Sequence, residues 1–466
     1  MDSHSRLDDA LIASLRGVLR GPVIAPGDPV YDEARSVWNA RIDRRPGAIA
    51  RCTGAADVMA AVRLARDHDI LLAVRGGGHS YAGLGSCDDG LVLDLSPMDG
   101  VRVDPRAKTA RVGAGARWGA VDHETQAFGL ATTGGTVSTV GVAGYTLGGG
   151  SGHLSRRFGL ALDNLRSVDV VTAAGELLRA SEHENGDLFW GIRGGAGNFG
   201  VVTSFELVLH EVGPRVLAGQ VIHRLDDAAG ALRFYRDFMA SAPDELQCYP
   251  FFLRLPPLDE LPSGLHGRTG LSLVVVYSGD LDRGEEVLEP LRDFGEPLLD
   301  VVAPQPYAAF QQLFDPGMPK GLRWYSKSHY LRDLPDEAIE VVVGRVDSLP
   351  TPTSVVYLET QGGSMGRVDP AATAFPHRDA AYLFHVFPGW EDPARDEEIM
   401  AWARDFHDEM ARWATGGVYV NMLSPDERDR IPAAYGANHE RLGRLKREVD
   451  PTNLFRVNHN VEPLAD

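Results

Sequence analysis

The sequence predicts an α+β protein, and three observations carry that reading. Up to about residue 210, short apolar runs bounded by turn residues are interspersed with stretches of helical periodicity. Two pairs of these runs flank tight turn signatures, as antiparallel hairpins do. After Gly213-Pro214 the glycines thin out, and longer strands alternate with longer helices. With 466 residues the chain can bury more than one core, and it shows no internal repeat or low-complexity segment.

In chain order, residues 55–68 repeat apolar side chains at helical spacing (Val58, Val62, Ala65), with Thr53 as candidate N-cap. Residues 70–74 and 91–95 are short apolar strands. Residues 101–103 and 110–112 flank Asp104-Pro105-Arg106, a hairpin, and 118–128 is a helix. Residues 165–172 and 177–180 flank Ala173-Ala174-Gly175, a second hairpin, and 200–209 alternates as a strand. Beyond the shift, strands are predicted at 216–223, 248–255, 271–277, 323–330, 354–361 and 380–387. A helix at 399–413 places Trp402, Phe406, Met410 and Trp413 on a core face. Residues 435–463 read as a helix followed by an extended tail.

Composition narrows the function. The chain is 44% hydrophobic and 24% charged with a net charge of -19, so nucleic acid and anionic membrane are not expected partners. Three cysteines, Cys52, Cys87 and Cys248, are too few and too scattered for a disulfide framework or a cysteine zinc site, and no metal is expected. No apolar run approaches the roughly 20 residues that span a bilayer. The N-terminal stretch lacks a basic region followed by an apolar core, so a cytoplasmic location is expected.

Three glycine-rich motifs carry the chemistry. Gly195-Ala196-Gly197-Asn198-Phe199-Gly200 matches the dinucleotide fingerprint G-x-G-x-x-G, but a helical stretch precedes it and a strand follows, the reverse of what that fold needs. It reads as a tight turn. Residues 134–164 hold glycine at 134, 135, 141, 144, 148, 149, 150 and 152, interrupted by core-type Val140, Val142, Tyr145, Leu147 and Leu154. Such density suits a backbone that approaches a ligand and presents N–H groups to an anion. The third, VRGGGHSYAG at 74–83, admits a phosphate loop, a metal ligand at His79 or a serine hydrolase elbow. Ala82 stands where the elbow needs glycine, no helix-forming stretch follows Ser80, and His79 lacks neighbouring ligands. Neither a P-loop nor H-E-x-x-H is present.

Four segments taken in order resemble FAD-linked oxidases of the berberine-bridge-enzyme type, in the vanillyl-alcohol-oxidase superfamily: strand-RGGGH, the glycine segment ending LSRRFGLALDN, DLFWGIRGGAGNFGVVT, and DPTNLFRVNHN. Among members the chain looks most similar to bacterial polyketide-tailoring flavoenzymes and to 6-hydroxy-D-nicotine oxidase. The resemblance implies a PCMH-type FAD-binding domain over residues 1–212, completed by 431–466, and a substrate domain over 213–430 with an antiparallel sheet backed by helices. It implies FAD bound covalently through the His79 imidazole. Arg75, Gly76, Gly77, Gly78, Ser80 and Gly83, with Gly135, Thr136, Val140, Gly141, Gly144, Gly148, Gly149, Gly150, Gly152 and His153, would line the pyrophosphate and ring. Asn164, Gly200 and Val202 would add contacts, the latter two on the adenine side. Tyr419, Asn421, Asn458 and Asn460 would complete the site.

Two departures matter. Many relatives attach the flavin again through cysteine in T-C-P-x-V-G, where this chain has Thr136-Val137-Ser138-Thr139-Val140-Gly141, so one covalent link is expected. Many plant members carry a catalytic tyrosine at the end of Y-x-N-Y, where this chain has Met422. Acid–base candidates are therefore sought on the strand at 354–361, where Tyr357, Glu359 and Gln361 share one face; a solvent-facing polar edge is the alternative. Tyr145, Tyr325, Lys327 and His385 are further candidates. The implied activity is hydride transfer from a bulky secondary metabolite of polyketide type to flavin N5, with O2 reduced to H2O2, by a monomer or homodimer. The alternatives are a flavin-dependent oxygenase of the enterocin Favorskiase type, a carbohydrate or alcohol oxidase, a serine hydrolase and a non-catalytic binding protein.

Overall fold

A computed structural model describes residues 6–257 and 259–465. The outer limits of the two terminal segments assigned above, residues 1 and 466, lie outside the described residues, as do residues 1–5 of the N-terminal stretch. The α+β reading holds, with three main sheets.

The first sheet joins β1 (Val23–Ile24), β2 (Ala48–Arg51), β3 (Leu72–Arg75) and β4 (Leu91–Asp94) in the order β1-β2-β4-β3. β4 runs parallel to β2 and β3, and helix α1 (Ala55–Asp67) crosses between those two. α1 buries Val58, Ala61, Val62 and Ala65, one stripe at helical spacing. Its N-cap is Gly54 rather than Thr53. The Asp57 carboxylate instead accepts from the Thr53 N–H and hydroxyl and from the Arg20 and Gly21 amides. The strand predicted at 70–74 is displaced to 72–75, where Arg75 pairs with Asp94 in register and its Nη2 donates to Asp94 Oδ2 at 3.0 Å.

The second sheet is antiparallel and contains both predicted hairpins: β5 (Val101–Asp104), β6 (Thr109–Gly113), β7 (Leu165–Val171), β8 (Leu177–Ser181) and β9 (Val201–Val208), ordered β5-β6-β9-β7-β8. Helices α2 (Trp118–Gln126), α3 (Val142–Leu147) and α4 (Gly186–Ile192) lie along the same stretch of chain.

The third sheet is antiparallel. Its six longer strands are β10 (Arg215–Arg224), β11 (Leu246–Arg254), β12 (Thr269–Tyr277), β13 (Lys327–Leu331), β14 (Val355–Thr360) and β15 (Tyr382–Phe387), ordered β10-β12-β11-β14-β15-β13, and two short segments, Leu299–Asp300 and Ala303–Pro306, pair with β10. One face packs on α5 (Ala228–Met239), α6 (Asp336–Val346) and α7 (Asp396–Met410). The opposite face carries Tyr249, Phe251, Val274 and Val276, packed with Ala131 and Leu154 from the glycine-rich half. The strand predicted at 323–330 is broken in two, because Arg323–Trp324 pairs with Gly389–Trp390 while β13 pairs with β15. α7 buries Ile399, Ala403, Phe406, His407 and Met410; Trp402 and Trp413 fall beside that stripe and are half-buried.

The C-terminal segment returns to the first half. In α8 (His439–Val449), fully buried Lys446 donates to Asp450 Oδ2 at 2.6 Å, Asn198 O at 2.8 Å and Phe455 O at 2.9 Å. Asn198 sits in the GAGNFG turn, between α4 and β9. Its amide donates to Gly195 O and His459 O, and its Oδ1 accepts from the Val461 N–H. The motif is thus a dock for the tail. Lys446→Met strands the Asp450 charge, and a loss of about 3–5 kcal/mol is expected, measured by denaturant unfolding.

Candidate active site

Two cavities meet at one wall. The larger lies between the first two sheets and the C-terminal tail. The smaller lies against the third sheet. His79, Tyr81, Val140, Tyr145 and Met422 line both.

The wall is built where β3 ends. Gly76, Gly77 and Gly78 turn the chain, with Gly78 at φ +72°. A Cβ on Gly77 would fall 2.4 Å from the Gly141 nitrogen, and a Cβ on Gly141 2.4 Å from the Gly77 nitrogen. The two backbones therefore touch, and neither position admits a side chain. Among the described residues, the N–H groups of Gly77, Gly78, His79 and Ser80 have no acceptor, and all four residues line the larger cavity. Successive unpaired N–H groups of this kind form an anion nest. Arg75 adds a buried Nη1 without a partner, and the tail adds an unpaired Asn458 Oδ1. Across the cavity, a Cβ at Gly144 or Gly197 would meet nothing within 4 Å, so both leave space for a ligand.

His79 stacks on Trp38 with ring centroids 4.8 Å apart. Burial, helped by the nearby Arg117 charge, pushes its imidazole down to about 3, so the ring is neutral at physiological pH.

The smaller cavity is aromatic. Trp38, Tyr81, Tyr249, Phe251, Phe314, Tyr357, Phe387 and Tyr419 line it, and the one carboxylate among its lining residues is Glu359. Glu359 accepts from the Ser151 hydroxyl, and burial pushes its carboxyl up to about 7. Tyr357 is stacked between Phe251 at 4.6 Å and His385 at 4.2 Å. The Tyr419 oxygen accepts from the Gly150 N–H at 2.8 Å and from Asn421 Nδ2 at 3.0 Å, and burial lifts its phenol to about 12.

Of the residues singled out from sequence, Arg75, Gly76, Gly77, Gly78, His79, Ser80, Val140, Gly141, Gly144, Tyr145, Gly200, Val202, Asn421 and Asn458 line the larger cavity. Gly135, Thr136, Tyr357, Glu359 and Tyr419 line the smaller. The others lie elsewhere. Gly83 packs on Ile42, Gly148 on Asn421, Gly149 on Tyr419 and Phe375, Gly150 on Ala161 and Tyr145, and Gly152 on Gly134. These glycines make room for protein, not for a ligand. His153 is buried against Tyr249 and Phe310, and Asn164 holds the Phe158 and Leu160 carbonyls and His210. Asn460 lies beyond the lining stretch 455–459, though its Oδ1 is buried and unpaired. The Gln361 amide turns back on the Glu359 carbonyl. Tyr325 and Lys327 face Asp426, and His385 sits behind Tyr357.

Sequence reasoning missed Trp38, Tyr81, Ser151, Tyr249, Phe251, Phe314 and Phe387 in the smaller cavity, and Phe455, Val457 and His459 in the larger. The period-two alternation that picked Tyr357 and Glu359 also places Tyr249 and Phe251 on one face of their strand. Trp38 carried no comparable signal.

Comparison with known proteins agrees with this geometry. Residues 46–181 match the FAD binding domain family, and residues 418–462 match the family described as berberine and berberine like. The (R)-6-hydroxynicotine oxidase of Paenarthrobacter nicotinovorans is 32% identical, with 96% of this chain and 97% of that protein aligned. The xylooligosaccharide oxidase of Thermothelomyces thermophilus is 29% identical, over 95% of this chain and 92% of that one. Among solved structures, 6-hydroxy-D-nicotine oxidase from Arthrobacter nicotinovorans superposes with a TM-score of 0.86 at 30% identity, covering 96% of this chain and 98% of that chain.

FAD fits the larger cavity: the nest and Arg75 suit its pyrophosphate, and the unpaired Asn458 oxygen suits a ring N–H. Gly77→Ala pushes the RGGGH turn off Gly141. Expected is a chain that still folds by circular dichroism but whose visible flavin band, relative to protein, drops severalfold.

Proposed function

The chain belongs to the FAD-linked oxidoreductases of the berberine-bridge-enzyme-like family, and we propose that it is an oxidase with flavin held by a single covalent bond from His79. Its substrate in this reading is a bulky, largely apolar metabolite of polyketide type. Residues 1–212 with 431–466 form the FAD-binding domain and 213–430 the substrate domain of a cytoplasmic monomer or homodimer. The sheets within 23–208 and 215–387 support that division.

One observation carries the proposal: the lone carboxylate of the aromatic cavity shares that cavity with His79. The neutral His79 imidazole is the group that would hold the flavin, and the glycines before it let the backbone come close. Val137, which lines the aromatic cavity, has no nucleophile for a second bond. The nest at 77–80 and Arg75 would hold the pyrophosphate, Gly200 and Val202 the adenine side, and Asn458 the ring. When bound, FAD supplies the hydride acceptor and passes the electrons to O2, giving H2O2.

Glu359 is the base. Its carboxyl, raised to about 7, is well placed to take an O–H proton from substrate near neutral pH. Tyr357 and Tyr145 stay protonated, because burial holds their phenols well above the usual range; Tyr357 can orient substrate as a donor, while Tyr145, whose hydroxyl donates to the Ser151 carbonyl, offers a flat surface. The cavity's rings favour a planar apolar ligand over an oligosaccharide, whose many hydroxyls would need polar partners.

Three outcomes test this reading. Acid-precipitated protein keeps its yellow colour, and His79→Ala releases the flavin to the supernatant; a colourless wild-type pellet defeats the covalent assignment. A substrate found by anaerobic flavin bleaching yields peroxide in air; labelled oxygen in the product instead would make the protein an oxygenase. With that substrate, kcat/KM rises with pH through about 7 as the raised Glu359 carboxyl ionises. Glu359→Gln lowers it about 100-fold or more and removes that limb.

A further inference from the structure

The turn Gly149-Gly150-Ser151 meets protein at its two glycines, which were read from sequence as ligand-lining, and opens to the aromatic cavity at Ser151. It holds three side chains of the aromatic cavity at once. The Gly150 N–H donates to the Tyr419 oxygen, the Ser151 carbonyl accepts from the Tyr145 hydroxyl, and the Ser151 hydroxyl donates to Glu359 Oε1. Behind it, Ser155 Oγ lies 3.3 Å from Ser151 Oγ and accepts from the Gly152 N–H at 2.7 Å.

We propose that Ser151 is a positioning residue whose hydroxyl reverses its hydrogen bond each time Glu359 gains or loses a proton. The proposal rests on Glu359 being the base.

A buried carboxylate accepts only, and a carboxylic acid must also donate. A fixed donor beside Glu359 satisfies the first state and faces the second donor to donor. A fixed acceptor does the opposite. A hydroxyl with a second acceptor behind it satisfies both. With Glu359 ionised, Ser151 donates to the carboxylate. With Glu359 protonated, the acid proton points at Ser151 Oγ, and the Ser151 hydrogen swings to Ser155 Oγ. The proton comes from the substrate and stays on Glu359, so no bond other than hydrogen bonds changes at Ser151.

Among the described residues, Ser151 is the one side-chain hydroxyl hydrogen-bonded to the Glu359 carboxylate, and no neighbour competes for the proton near neutral pH. Tyr357 on its own strand, Tyr249 on β11, Tyr330 on β13, Tyr145 and Tyr419 are all held protonated by burial. His385 on β15 is pushed down to about 3 and stays neutral. The Gln361 amide can donate but cannot turn into an acceptor at the same atom.

The test uses flavin-loaded protein labelled with 13C-glutamate, and follows the infrared carboxylic-acid C=O band against pH without substrate. Glu359→Gln identifies the band by removing it. In the wild type the band fades as pH rises through about 7. In Ser151→Ala the carboxylate has lost its donor, so the midpoint moves up by about one pH unit or more, a tenfold or greater shift of the protonation equilibrium. Ser151→Thr, which keeps the hydroxyl, brings the midpoint back. At low pH the Ser151→Ala band also shifts from the wild-type frequency, because the acid O–H has lost Ser151 Oγ as its acceptor; an unshifted band overturns the reversal, and an unchanged midpoint with the flavin absorption intact overturns the positioning role. If Glu359→Gln keeps full activity, the base assignment fails by itself, and the infrared midpoint still decides the role of Ser151.

Discussion

Everything about this site depends on a contact between two stretches of bare backbone. Gly77 and Gly141 approach so closely that neither could carry a methyl group. Their contact fixes the RGGGH turn, at the end of a short parallel strand, against the loop that leads into α3. It presents a run of unpaired amides to one cavity while aiming the next side chain, His79, at the boundary with the other. The Arg75–Asp94 pair anchors one side of this contact from within the first sheet. Side chains then furnish the two cavities, but the backbone contact decides that there are two and that they share a wall.

The two spaces differ in physical character. The larger offers amide donors, an arginine and asparagine oxygens, which suit a polar, anionic ligand. The smaller offers aromatic faces and one carboxyl, so it discriminates by shape and by a single proton. A stack of rings crosses the boundary: His79, Trp38, Trp324 and Phe387 follow one another at 4.8, 5.1 and 4.9 Å. It ties an early loop, the glycine turn and the third sheet into one packed unit. The orientation of His79 is therefore set by residues spread over three hundred positions of chain.

Much of the fold was legible because its signals are local. Period-two alternation, hairpin turns and helical stripes placed most elements within a few residues. The errors came where long-range pairing decides. Strand 323–330 splits because two different partners claim its halves. The larger cavity was legible through glycine, and Arg75 to Ser80, with Val140, Gly141 and Gly144, line it. The same signal misled at 148–152, since close approach to Tyr419 or Ala161 requires glycine just as close approach to a ligand does. Trp38 and Phe314 reach the smaller cavity only through tertiary packing, so no local pattern marks them. Ser151 was invisible for another reason: a serine in a glycine run looks like any other small residue until a carboxylate from a strand two hundred residues away meets it.

The C-terminal dock sets an order of events during synthesis. The first two sheets, the glycine turn and α3 belong to the first two hundred or so residues, whereas Phe455, Val457, Asn458 and His459 close the opposite wall of the larger cavity. At about 5–20 residues per second, the roughly 250 residues from Val202 to Phe455 take on the order of ten to fifty seconds to emerge. Through that interval the nascent chain holds an open half-cavity with its amides bare to water. Lasting capture of the cofactor thus waits until residues 455–459 have emerged and Lys446 locks the tail against Asn198. Cofactor loading and completion of the fold then become one kinetic step.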